Sequence, residues 1–188
     1  MTFSPKILIR FAAVICIGLA TGYLLRGQFG PSALDRHAHR VFDRFASICL
    51  SAIETSPPAA FLTGDDLGLT AVATGADTVS WIDTDSNGIL SVTNRRCGLE
   101  FYQDTASHLI DAADILQSRT ADFLADHVPH LTIDPKAKLN PNDRFVAWTN
   151  WADTRTGDER RWGLTLLAGR HTVGEPYVSL SVTLPWDQ

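Results

Sequence analysis

From Leu34 onward, apolar residues return every three or four positions: Leu34, Ala38, Val41, Phe42, Phe45, Ile48, Cys49, Ala52 and Ile53. That period predicts a helix with one apolar stripe. Ser32 can cap it and Asp35 can complete a capping box. Arg36, Arg40 and Arg44 fall on the opposite, wet face, and Pro57-Pro58 ends the element. The pattern then becomes strand-like. Residues 69–74, 78–82, 89–92 and 98–102 are short runs rich in β-branched and aromatic side chains, bounded by turn residues.

Asp104 is placed to cap a second helix, in which Ala106, Leu109, Ile110, Ala113, Leu116, Phe123 and Leu124 keep helical spacing until Pro129. Beyond an irregular stretch (134–142), strands at 144–151 and 161–167 flank a polar turn at 153–158. Residues 177–184 alternate strictly: Val178, Leu180, Val182 and Leu184 point inward, and Ser179, Ser181 and Thr183 point to water. Helix, strands, helix, strands reads as α+β, an antiparallel sheet with two main helices on one face. The expected organisation is an N-terminal membrane helix over 1–26, a linker over 27–31 and one extracytoplasmic domain over 32–188.

The membrane helix rests on charge-free continuity. Residues 11–25 carry no charge, and the run extends to 7–25 if Arg10 snorkels to the interface. At 1.5 Å per residue the longer run spans about 28 Å, enough for a bilayer core. A cleaved signal peptide also fits, with Ala20 and Gly22 spaced for a cut after Gly22. The uncleaved anchor is the expectation adopted, because cleavage leaves Leu24 and Leu25 stranded on the mature terminus. Lys6 and Arg10 set the N-terminus inside. Gly18 and Gly22 are four apart, and Ala12, Cys16 and Ala20 form a second small row, the spacing that lets two membrane helices approach closely.

Charge and cysteines bear on the body. The net charge is −5, but past Arg26 there remain 13 basic residues against all 21 acidic ones, a net of −8. Such a body is repelled by phosphate backbones, so no nucleic-acid partner is expected. With Cys16 in the apolar segment, Cys49 and Cys97 are left as a pair, expected to form one disulfide in an oxidising compartment.

The chemistry is sparse. Asp83, Asp85 and Asn87, followed by Gly88, start like a calcium loop. The bidentate glutamate due at the twelfth position is Asn94, and the flanks read as strands. Asn87-Gly88 is instead a signal for a type I′ hairpin turn with positive φ at both residues. His108, Asp111 and Asp114 share a helix face, read as a solvated acidic face, and His127 and His130 flank Pro129 without a third ligand in evidence. Trp148 and Trp151, three apart on one predicted strand, point to opposite faces: either one enters the core and the other suits a contact surface, or both pack under loops. No catalytic residue, cofactor or metal is expected.

The expected function is therefore that of a non-enzymatic extracytoplasmic domain, anchored in a bacterial inner membrane as an accessory subunit of a complex. Its partner is another transmembrane protein or a second copy of the chain. A secreted or periplasmic enzyme and a soluble periplasmic binding module are the alternatives. The bacterial reading rests on the short signal-like segment and on a preference for arginine and alanine over lysine.

Overall fold

In helix α1 (Ala33–Phe45), Ala38, Val41, Phe42 and Phe45 are buried, as the apolar stripe predicts. The helix continues into a π-helical turn, Ala46–Leu50, where Ile48, Cys49 and Leu50 are buried in succession. An α-helix advances about 100° per residue and would turn one of three consecutive side chains outward. The wider i→i+5 winding narrows that spread, so all three enter the core. The computed structural model describes residues 31–51, 68–74, 78–137, 143–150, 162–170 and 174–184. The chain divides after Ala33 into two units. The predicted membrane segment, with Gly18, Gly22, Ala12, Cys16 and Ala20, lies outside the described residues, as do residues 27–30 of the linker. Among the described residues no helix is long and apolar enough to cross a membrane.

Eight antiparallel strands form one sheet: β1 (Leu69–Thr74), β2 (Thr78–Asp83), β3 (Gly88–Thr93), β4 (Arg96–Tyr102), β5 (Thr132–Ile133), β6 (Arg144–Thr149), β7 (Gly163–Arg170) and β8 (Pro176–Thr183). Their order across the sheet is β1-β2-β3-β4-β8-β7-β6-β5. Each half of the domain is thus helical structure followed by a four-stranded meander, and the halves join where β4 pairs with β8. Seven of the eight strands fall where alternation and turn residues predict them. The two-residue β5 is too short to show a period.

Between the meanders lie α2 (Gln103–Asp111) and α3 (Ala113–His127). The sequence predicts one helix here, but Ala112 (φ −99°, ψ 11°) divides it, with no proline or glycine to account for the break. Asp104 is not its cap. The helix enters from Tyr102 in extended conformation, without a side-chain capping bond. Phe42 meets Phe123 edge-on at 6.3 Å between centroids, and Arg119 lies over Phe42 while pairing with Asp43 at 2.7 Å, which ties α3 to α1.

The helices cover one face of the sheet. From that face Cys97, Leu99 and Phe101 of β4 and Val178, Leu180 and Val182 of β8 join a core with Leu109 and Leu116. Cys49 of the π turn is bonded to Cys97, joining helix to central strand with both sulfurs in the core. Two glycines are fixed by close approach. A Cβ on Gly88 would lie 2.6 Å from the Phe101 ring. Gly163 has φ +147°, and a Cβ there would lie 2.0 Å from the Trp148 carbonyl oxygen.

Candidate interaction surface

The calcium-like loop is a hairpin whose first acid, Asp83, is spent on the protein itself. Period-two alternation puts Asp83 on the same face as Trp81, toward the helices, and its side chain is fully buried. Arg44 of α1 donates to Asp83 Oδ1 through Nε at 3.0 Å and stands at 2.9 Å through Nη. Ser86 Oγ donates to Oδ2. Asp85 is exposed and 4.0 Å from Arg44, and Asn87 donates its amide to Thr105 Oγ1 of α2 at 2.8 Å. The three candidate ligands therefore diverge: one inward, one to water, one to a helix.

The turn also differs in kind from the expected two-residue type I′ hairpin. Asp83 pairs with Gly88 across a four-residue loop, and only Asn87 within it has positive φ (57°). Gly88 already belongs to β3, and Phe101 rather than turn geometry excludes a larger residue there.

Other candidates are likewise dispersed. His108, Asp111 and Asp114 are exposed, and Asp114 pairs with Arg144. His127 stacks on Phe123 at 4.2 Å, whereas His130 tilts against Trp162 at 5.4 Å, so the two imidazoles do not converge. Among the described residues no group of three or more His, Cys, Asp or Glu is placed to hold a metal ion. Trp148 is buried in the core; Trp151 lies past the end of β6 and outside the described residues. Two histidines far apart in the sequence are brought within reach of each other: His37 of α1 feels the charge of His108 of α2. Burial first, then Arg40 and His108, lower the His37 pKa below its ordinary 6.5.

The face of the sheet away from the helices carries the more suggestive arrangement. Among the described residues five large apolar side chains are exposed. Val72 and Ile133 are on the edge strands, but Ile82 (42%), Ile89 (36%) and Tyr102 (41%) share this outer face on β2, β3 and β4. Ile82 pairs with Ile89, and Ile89 with Glu100. Tyr102 donates to Glu100 Oε2 at 2.8 Å and packs on Tyr177 at 5.2 Å between ring centroids. Burial, then the hydrogen bond to Glu100, raise the Tyr102 pKa well above its ordinary value. Burial also raises that of Tyr177, with a hydrogen bond to Ser179 opposing it. Both phenols stay neutral beside the carboxylate.

Next to this cluster runs a band of small residues. Ser80 pairs with Ser91, Ser91 with Gly98, Gly98 with Ser181, and Ser181 with Thr165, one row across five strands. Ser80 and Ser91 hydroxyls meet at 3.1 Å, and those of Thr165 and Ser181 at 2.7 Å. Ser179 and Ser181 face away from the helices as alternation predicts, but at 4% exposure each they are buried, not wet. Arg96 reaches Ser181 Oγ at 3.4 Å, one way the row is covered.

Comparison with family models, with curated proteins and with solved structures finds no match for this chain. The surface was partly visible in the sequence: Trp81-Ile82 is an apolar pair, and a strand must send one of the two outward. The Glu100, Tyr102 and Tyr177 grouping was not, because β4 and β8 are far apart along the chain.

Proposed function

We propose that this protein is a non-enzymatic, membrane-anchored extracytoplasmic domain that works by contact. Residues 1–26 form a signal anchor with the N-terminus cytoplasmic, and the domain over 32–188 stands in the periplasm as an accessory subunit of a bacterial inner-membrane assembly. The observation that carries the reading is the Cys49–Cys97 disulfide between the first helix and the central strand. Such bonds persist in oxidising compartments and are rare where thiols are kept reduced. The charge-free run at 11–25 supplies the route there. The three apolar side chains exposed on one sheet face support contact as the mode of action.

Fractionation tests it. The full chain is expected in membranes, resistant to carbonate extraction, with its body digested by protease added to spheroplasts. A soluble mature chain beginning at Tyr23 would overturn the anchor and favour a free periplasmic module. Gly18→Ile with Gly22→Ile tests docking of the anchor on a second transmembrane helix: insertion survives and co-purification with the partner falls.

A further inference from the structure

The outer face of the sheet is complementary to itself, and we propose that it is the contact between two copies of this chain. This deepens the reading of the domain as a contact module by naming its partner. Arg96 and Glu100 lie on β4, four residues apart on the same face, with Gly98 midway. A two-fold axis lying over Gly98, in the plane of the face and across the strands, places Arg96 of each copy over Glu100 of the other. The same axis follows the Ser80, Ser91, Gly98, Ser181 row, where the Arg96 guanidinium now covers Ser181 and would turn outward to meet the second copy. It sets Ile89 of one copy opposite Thr93 of the second, and Ile82 opposite Thr78, two residues either side of the row.

Three observations favour a second copy over an unrelated partner. The cation and the anion are equidistant from a row of small residues, the symmetry that an isologous interface requires. Arg96 is half-exposed and stands 3.9 Å from Glu100 and 3.4 Å from Ser181. Both distances exceed the usual 2.7–2.9 Å of a charge-assisted hydrogen bond, so a carboxylate from outside can improve on them. The patch carries one charge of each sign, so it is neutral on a body that is acidic overall, and approach by this face meets less repulsion than the net charge implies. Packing two such faces gives a sheet-on-sheet sandwich with the isoleucines covered.

Exchange of signs tests the geometry. Full-length chains are prepared with Cys16→Ala and Ser91→Cys, so that the only free thiol sits on the axis beside its mate. A short bis-maleimide is expected to crosslink this chain to itself. Arg96→Glu alone and Glu100→Arg alone each place like charges together twice and should lower the crosslinked fraction at least tenfold. Mixing the two variants restores opposite signs at both positions, and the crosslink should return as a heterodimer. Matching thermal unfolding of the variants shows that the fold is kept. Absence of crosslinking by the parent chain, or indifference to single reversal, overturns the proposal. So does a crosslink that depends on Gly18 and Gly22 but not on Arg96 and Glu100, which places self-association in the anchor. The sign exchange reads the sheet face whether or not the chain proves to be anchored, so loss of the anchor reading leaves this test intact.

Discussion

Arg44 and Asp83, 39 residues apart, form an ion pair in which the carboxylate is fully buried and the arginine side chain partly so. Removing the arginine leaves a charge without its partner in a low-dielectric site. Arg44→Ala is therefore expected to destabilise the domain by about 3 kcal/mol, read from urea unfolding. Asp83→Asn with Arg44→Leu should cost less than the sum of the single changes, since no charge is then stranded. Additive effects would show that the pair is not coupled.

The same pair governs the response to calcium. Both Asp83 oxygens already accept from Arg44 and Ser86. Calorimetry with millimolar calcium should give no saturable heat that disappears in Asp83→Ala. A heat that does so would mean that the loop opens to take the ion.

Thiol counting on denatured, unreduced protein is expected to find Cys16 alone, with Cys49 and Cys97 consumed. Replacing both by alanine should lower stability by about 2–5 kcal/mol, the range for a native bond. The loss should show as a lower unfolding midpoint in non-reducing buffer. An unchanged midpoint would place the bond outside the folded core.

Absorbance titration should find Tyr102 ionising well above pH 10 and Tyr177 raised above its ordinary value. Glu100→Gln removes the acceptor charge and is expected to bring Tyr102 down, though not fully, because burial is the larger cause. Tyr102→Phe identifies the transition. A folded-state pKa raised above the unfolded value contributes stability below pH 10 that is lost as pH rises through the folded pKa. The domain should therefore weaken at alkaline pH, and less so in Tyr102→Phe.

His37 has the opposite sign. Its pKa is lowered on folding, by burial and then by Arg40 and His108. The stability it contributes is present above 6.5 and falls as pH drops below that value. NMR titration should place His37 below 6.5, and His108→Gln should move it upward. A denaturation midpoint compared at pH 7.5 and 5.5 should fall less in His37→Gln than in the parent.

Which of these features the sequence disclosed follows from the range of the interactions. Strands announce themselves through local alternation, and Leu69–Thr74 is read to the residue. The disulfide was reachable because only two cysteines lie outside the apolar segment. Arg44 was assigned to water because it stands eight residues after Arg36. Steps of four on a helix drift by about 40° each, so two steps carry a side chain some 80° round toward the sheet. Asp83 resembled a turn acid because its partner is distant in sequence. The phase it shares with Trp81 was the available clue. The four-residue loop escaped notice because Asn87-Gly88 fits a shorter turn equally well, and the pairing of Asp83 with Gly88 distinguishes them.

The junction of β4 with β8 has a consequence for synthesis. β8 follows the other seven strands in the chain, yet it lies in the middle of the sheet, between β4 and β7. While it is still in the ribosomal tunnel, the two meanders have no shared edge, and β4 and β7 each expose an unpaired row of backbone groups. Completion of the sheet is thus a late event that turns two half-built layers into one. A nascent chain stalled before Pro176 is a candidate for chaperone capture, or for pairing with another unfinished copy.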